Sequence, residues 1–233
     1  MSTVLLVRHG LTAMTGPVLA GHTPGLHLDD RGRKQAAALA ARVGVLPLRA
    51  IVTSPLERCV DTADEIARVQ AEQGRGPERF VDERIVECSY GDWTGKPIKD
   101  LAKDPMWKVV QSQPSAARFP GGESLQEVSA RAIEAVRDWD ARLGEDAIWV
   151  ACSHGDVIKA ILADALGLHL DQFQRIVVDP CSVSVVRYTA TRPYVLRSND
   201  VGSPLDPFVP PKRRSRRRSS DATVGGGAGG GAV

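Results

Sequence analysis

Four basic side chains follow short apolar runs of the sequence, an arrangement that favours chemistry on a phosphate group: Arg8, His9, Arg58 and His154. Arginine binds two phosphate oxygens through its planar guanidinium group and keeps its charge across the physiological pH range. A histidine with one neutral ring nitrogen can attack phosphorus and form a phosphohistidine. These residue types therefore predict a site that binds a phosphate group and can accept it covalently.

A carboxylate is needed to move protons in such a reaction, and Glu87 is the candidate. It would protonate the leaving oxygen and later take a proton from the attacking water. His154 would donate to the phosphoryl oxygens as charge develops in the transition state. Burial would raise the pKa of Glu87 and the arginines would lower it, and the sequence leaves that balance open. It also does not show which group fixes the tautomer of His9.

The apolar runs 4–7, 50–53 and 148–152 are predicted to be strands that end where the basic residues begin. Ligands bind at the carboxyl ends of strands in open α/β sheets. Further strands are predicted at 182–188 and 194–196, and helices at the following ranges: 31–43, 55–70, 123–143 and 157–166. Ser54 is predicted to cap the second helix, with Pro55 in its first turn. This alternation predicts an α/β fold with a mostly parallel sheet and helices on both faces.

Five motifs give the chain a family resemblance: LVRHG at 6–10, TSPLER at 53–58, YGDW at 90–93 after Glu87, PGGES at 120–124 and SHG at 153–155. In this order they resemble the histidine phosphatase superfamily, also called phosphoglycerate mutase-like, from residue 4 to about residue 199. The resemblance implies a three-layer α/β/α sandwich. It implies that His9 is the phosphorylated nucleophile, that Glu87 is the proton donor, and that the other three basic residues form the phosphate pocket.

Departures from the family pattern bear on the substrate and the reaction. Thr15 stands where the family often has an asparagine that contacts phosphate, and Gly21 and His22 lie in the loop that faces the pocket in this family. We therefore expect all three to contact substrate. The segment 96–119 is short and lacks the Arg-Arg-Ser and Pro-Pro elements of the glycolytic mutases. Because a mutase must shield its phosphohistidine from water, the shorter segment favours hydrolysis.

We therefore expect a cofactor-independent phosphatase that acts on a small phosphorylated metabolite through a phosphohistidine. One alternative is a phosphomutase of the phosphoglycerate mutase type. Another, from a different class, is a non-catalytic sensor or adaptor for a phosphorylated ligand. No metal is expected, because the four cysteines form no Cys-x-x-Cys pair. The resemblance implies a homodimer.

The sequence predicts one domain at 1–200 and a disordered tail at 201–233 that is rich in Pro, Arg and Gly. The net charge of the chain is +2, and six of its basic residues lie between Lys212 and Arg218, so the remainder is net acidic. Such a basic run could bind nucleic acid or another anionic surface. No apolar run is long enough to span a membrane. No signal peptide is recognisable, so a cytoplasmic location is expected.

Overall fold

A six-stranded sheet with the strand order β3-β2-β4-β1-β5-β6 organises the fold. The computed structural model describes residues 2–202. The strands are β1 (Thr3–Arg8), β2 (Ala50–Thr53), β3 (Glu78–Val81), β4 (Ile148–Ser153), β5 (Val183–Tyr188) and β6 (Pro193–Asp200). Strands β1 to β4 are mutually parallel, β5 is antiparallel to β1, and β6 is antiparallel to β5. The mostly parallel sheet is confirmed.

Helices cover both faces of this sheet. They are α1 (Asp30–Val43), α2 (Glu57–Glu72), α3 (Ile98–Leu101), α4 (Pro105–Ser112), α5 (Leu125–Leu143) and α6 (Gly155–Ala165). Successive side chains of a strand point to opposite faces. Accordingly, Val4 and Leu6 of β1 join the core beneath α5 and α6, whereas Leu5 and Val7 join the core beneath α1 and α2. The result is the predicted three-layer α/β/α arrangement.

Several element boundaries differ from the sequence prediction by a few residues, and the start of α2 is the difference that bears on the site. Helix α2 begins at Glu57 with Leu56 as its N-cap, and no side chain caps it. The Ser54 hydroxyl instead lies 2.7 Å from the ring of His154, and it also accepts from the backbone N–H of Leu56 over 3.4 Å. Strand β3 was not predicted, since it lies at the sheet edge with most of its side chains exposed. The start of α5 fits its motif, because Ser124 and Glu127 form a capping box.

The loop after Glu87 packs closely on the loop before α5, and Gly91 makes this approach possible. Its φ is +51°, and a Cβ atom there would lie 2.1 Å from the carbonyl oxygen of Pro120. We expect Gly91→Ala to lower the free energy of unfolding by about 2–3 kcal/mol, because backbone strain and a steric clash act together. Gly95→Ala is the matched control, since Gly95 has a φ of +78° but no atom within 4 Å of the Cβ position. Gly95→Ala should lower the free energy of unfolding by about 1 kcal/mol. Urea denaturation of both variants measures the difference, and equal losses would contradict the packing argument.

The predicted disordered tail lies outside the described residues, apart from its first two positions. The predicted domain boundary between residues 200 and 201 stays a prediction. Within residues 2–202, no helix combines the length and the apolar character that crossing a bilayer requires.

Candidate active site

The four predicted basic side chains meet at the carboxyl ends of the parallel strands. Arg8 is the last residue of β1 and His9 follows it, Arg58 lies in the first turn of α2, and His154 directly follows β4. Arg58 lies between the two histidines: its Nε is 3.3 Å from His9 Nε2, and its Nη2 is 3.3 Å from His154 Nδ1. All four side chains are buried, with at most 6% of their surface exposed.

The tautomer of His9 follows from its two neighbours. Its Nδ1 lies 2.7 Å from the carbonyl oxygen of Gly10, which can only accept, so Nδ1 carries the proton. Its Nε2 accepts from Arg58 Nε, which can only donate. Burial, followed by the charges of Arg58 and Arg8, holds the pKa of His9 well below its usual value. His9 is therefore neutral, with a lone pair on Nε2 available for attack on phosphorus.

His154 carries its proton on the other ring nitrogen than His9 does. Its Nδ1 accepts from Arg58 Nη2, so its Nε2 carries the proton and donates to Ser54 Oγ over 2.7 Å. Burial and the neighbouring Arg58 lower its pKa well below the usual value. To donate to a phosphoryl oxygen through Nδ1, His154 must therefore gain a proton there when the anion enters. Ser54 orients this ring, a role that its place before a predicted helix did not reveal.

Glu87 lies beside these groups and is almost fully buried. Its Oε1 accepts from the backbone N–H of Cys88 at 3.0 Å, and its Oε2 is 3.9 Å from His154 Nδ1. Burial is the main cause that raises the pKa of Glu87 to about 7, and the charge of Asp156 adds to it. Arg58 and Arg8 act in the opposite direction but are outweighed. Burial therefore decides the balance that the sequence left open, and the carboxyl group can hold a proton near neutral pH.

A cleft borders these groups. Thr15 and Gly21, both predicted to contact substrate, line it together with Arg8, His9, Arg58 and Glu87. The hydroxyl of Thr15 is 2.9 Å from that of Thr12 and also accepts from the Thr12 backbone N–H. His154 and His22 are not among the lining residues. Within the described part of the chain, no three His, Cys, Asp or Glu side chains are grouped as metal ligands.

Known proteins resemble this chain in sequence and in fold. The family model for the histidine phosphatase superfamily (branch 1) matches residues 4–201. The chain belongs to this superfamily. It is 32% identical to phosphoserine phosphatase 1 of Hydrogenobacter thermophilus, over 85% of this chain and 92% of that protein. It is also 32% identical to a probable phosphoglycerate mutase GpmB of Cronobacter sakazakii, over 81% of this chain and 86% of that protein. The solved structure of Bacillus stearothermophilus YhfR superposes with a TM-score of 0.76 and 27% identity, over 86% of this chain and 98% of that one.

The loop that carries Glu87 is held by two side chains of this histidine phosphatase. Arg131 of α5 donates to the carbonyl oxygens of Arg84, Val86 and Glu87 over 2.7 to 3.1 Å. His22 Nε2 lies 2.6 Å from the same Glu87 oxygen. In this structure His22 thus contacts the backbone of the catalytic candidate, while its predicted contact with substrate stays a prediction. The sequence offered no signal for this role of Arg131, because the three carbonyl oxygens are more than forty positions away.

A buried polar network lies behind the phosphatase site. Tyr90 Oη donates to Asp156 Oδ2 over 2.9 Å, and Lys159 Nζ lies 3.7 Å from Asp156 Oδ1. The negative charge of Asp156 favours the protonated form of Glu87, and it also opposes the lowering of the Arg8 pKa that burial causes. Arg8 itself donates through Nη1 to the carbonyl oxygen of Val178 at 2.7 Å. Asp156 thus influences both the phosphate-binding side and the proton-donor side of the site.

We expect Asp156→Asn to change the pH dependence of the histidine phosphatase. Without the nearby negative charge, the pKa of Glu87 falls, so Glu87 loses its proton at lower pH. The basic limb of the kcat/KM profile, which reports the free enzyme, should move down by about one pH unit. Asp164→Asn is the control, since Asp164 lies near the other end of α6 and pairs with Arg137. A basic limb that stays in place, or moves up, in a folded Asp156→Asn enzyme would contradict this coupling.

Proposed function

We propose that this chain is a phosphoric monoester hydrolase that acts on a small phosphorylated metabolite through a phosphohistidine on His9, without a cofactor. The observation that carries the proposal is the pair of protonation states of His9 and Glu87. His9 is neutral with its Nε2 lone pair available, and Glu87 has a pKa of about 7. A nucleophile without a proton and an acid that retains one are the two groups that this reaction needs.

In the first step, His9 Nε2 attacks phosphorus and the bond between phosphorus and the alcohol oxygen breaks. Glu87 gives its proton to that oxygen, so the product leaves as a neutral alcohol. Arg8 and Arg58 balance the charge of the phosphoryl group. Arg58 Nη1 is buried and has no hydrogen-bond partner among the described residues, so it is a donor that a phosphate oxygen would satisfy.

In the second step, water attacks phosphorus and the bond between phosphorus and His9 Nε2 breaks. The Glu87 carboxylate takes a proton from this water, so inorganic phosphate forms and both residues return to their starting states. The cleft that His9 and Glu87 both line is where this water would bind. The α-helices between the Glu87 loop and α5 are short: α3 has four residues and α4 has eight. Such a short segment shields the phosphohistidine less from water, which favours hydrolysis.

A phosphomutase is the second candidate, since a relative named as a probable phosphoglycerate mutase aligns over most of the chain. It uses the same first step but returns the phosphoryl group to a second hydroxyl. The non-catalytic sensor or adaptor is not favoured, because binding a phosphate does not require an acid with a pKa near 7 beside a neutral histidine.

Parallel assays separate these functions. The full chain is incubated with phosphorylated metabolites in the presence of a chelator, while phosphate release and the conversion of 3-phosphoglycerate to 2-phosphoglycerate are followed. Phosphate release without isomer formation is the expected result. Isomer formation without release would favour the mutase. Tight phosphate binding with neither reaction would overturn the enzymatic proposal in favour of the sensor.

The cytoplasmic location and the homodimer stay predictions. So does binding of nucleic acid or another anionic surface by the basic run, which lies outside the described residues.

A further inference from the structure

One wall of the cleft is built from two chain segments that hold each other in place. The segment 16–20 approaches the start of α3 through a bridge between Val18 and Pro97. Backbone hydrogen bonds of 3.0 Å join Leu19 to Lys96 and Ile98 to Pro17. The side chains that these segments present to the cleft are Val18, Leu19, Ala20 and Ile98. This wall is therefore apolar, and its backbone is fixed before any ligand binds.

The positive charge of the cleft is confined to its reacting end. Among the described residues that line the cleft, the only Lys or Arg side chains are Arg8 and Arg58. Arg58 donates to His9, to His154 and to the carbonyl oxygen of Gly21, and Arg8 donates to the Val178 carbonyl oxygen. Arg58 is thus held at the reacting end by three partners.

A second anionic group on the substrate would find no cationic partner on the apolar wall. A phosphomonoester dianion already brings two negative charges to Arg8, Arg58 and His154. A carboxylate elsewhere on the substrate would add a third negative charge. It would lose part of its hydration against apolar side chains, and a charge that is desolvated without a partner is costly.

We propose that the natural substrate is a phosphate ester of an uncharged alcohol whose carbon skeleton packs against Val18 and Ile98. By this assignment, phosphorylated hydroxy acids and phosphorylated amino acids are poor substrates. The inference rests on the proposed phosphatase function and narrows its substrate class.

A matched pair of substrates tests the inference. Glycerol 1-phosphate and 3-phosphoglycerate have the same carbon skeleton, but the first has a CH₂OH group where the second has a carboxylate. Butyl phosphate is added as an ester of an apolar alcohol. The full chain is used, so that any contribution from residues 203–233 is included. We expect kcat/KM for glycerol 1-phosphate to exceed that for 3-phosphoglycerate at least tenfold, with butyl phosphate at least as good as glycerol 1-phosphate.

A variant that adds a cation to the wall provides the reciprocal test. Val18→Lys, at a half-buried position, should reduce the preference for glycerol 1-phosphate about tenfold by improving 3-phosphoglycerate. Val45→Lys is the control, because Val45 is 70% exposed and precedes the amino end of β2. The site lies at the opposite, carboxyl end of the strands. Val45→Lys should leave the preference unchanged.

The outcomes separate the two proposals. Equal or better hydrolysis of 3-phosphoglycerate by the unmodified chain would overturn the substrate inference and leave the phosphatase function standing. A folded, active Val18→Lys variant that keeps the original preference would overturn the substrate inference in the same way. If Val18→Lys fails to fold, the preference of the unmodified chain decides alone. If that chain hydrolyses no ester and forms no phosphohistidine, the proposed function fails, and the inference fails with it.

Discussion

Replacing His9 by alanine should reduce kcat by about 10⁴-fold to 10⁶-fold, the usual cost of losing a covalent nucleophile. The attacking atom is Nε2, which the Gly10 carbonyl leaves unprotonated by fixing the proton on Nδ1. Among the described residues that line the cleft, His9 is the only histidine. After incubation with a labelled phosphate ester and a denaturing quench, the unmodified chain should carry acid-labile phosphate. His9→Ala should carry none.

The size of this loss must be separated from damage to the fold. His9→Ala keeps Arg8 and Arg58, so it should still bind inorganic phosphate, which calorimetry can measure. His27→Ala is the matched control, since His27 is exposed and contacts Asp61 at the surface. It should keep both turnover and the labelled intermediate. Acid-labile phosphate on a folded His9→Ala protein would show that another residue is the nucleophile.

The convergence of the basic residues was predictable because it depends on local sequence. Each apolar run becomes a parallel strand, and the residue that ends it must lie at the carboxyl edge of the sheet. His9 and His154 come together from positions far apart in the chain for this reason. The two-sided core follows likewise from alternation along β1, which directs Val4 and Leu5 to opposite faces.

The parts that escaped prediction depend on contacts between distant segments. Ser54 looked like a helix cap, but it bonds His154, which lies 100 positions away. Arg131 stabilises the Glu87 loop from the middle of α5, where an arginine reads as ordinary helix surface. The pKa of Glu87 depends on its burial and on Asp156, and neither can be read from the sequence around it.

Replacing Glu87 by glutamine tests its role as the acid of the first step and the base of the second, and it should separate the two steps. Glutamine keeps the size of the side chain but can neither give nor take the proton. For alkyl phosphates, kcat should fall about 10²-fold to 10⁴-fold, the usual contribution of a general acid or base. Glu65→Gln, on the exposed face of α2, is the control and should leave kcat unchanged.

An aryl phosphate makes the separation visible, because its leaving oxygen is stable without a proton. Phosphorylation of His9 by p-nitrophenyl phosphate should therefore survive in Glu87→Gln, while hydrolysis of the phosphohistidine is slowed by the missing base. The expected result is a burst of about one nitrophenol per active site, followed by slow turnover and a persistent acid-labile phosphate. Equal slowing of alkyl and aryl esters, with no burst, would instead place the role of Glu87 in binding or folding.

The pH profile gives a further consequence of the same assignment. In the unmodified chain, Glu87 must be protonated for the first step, so kcat/KM for an alkyl phosphate should fall as pH rises through about 7, the pKa of this carboxyl group. In Glu87→Gln this limb should disappear, and the residual activity should be flat across that range. Since burial is the main cause of the raised pKa, Asp156→Asn should shift the limb without removing it, whereas Glu87→Gln removes it. A limb near pH 7 that persists in Glu87→Gln would assign the titration to another group.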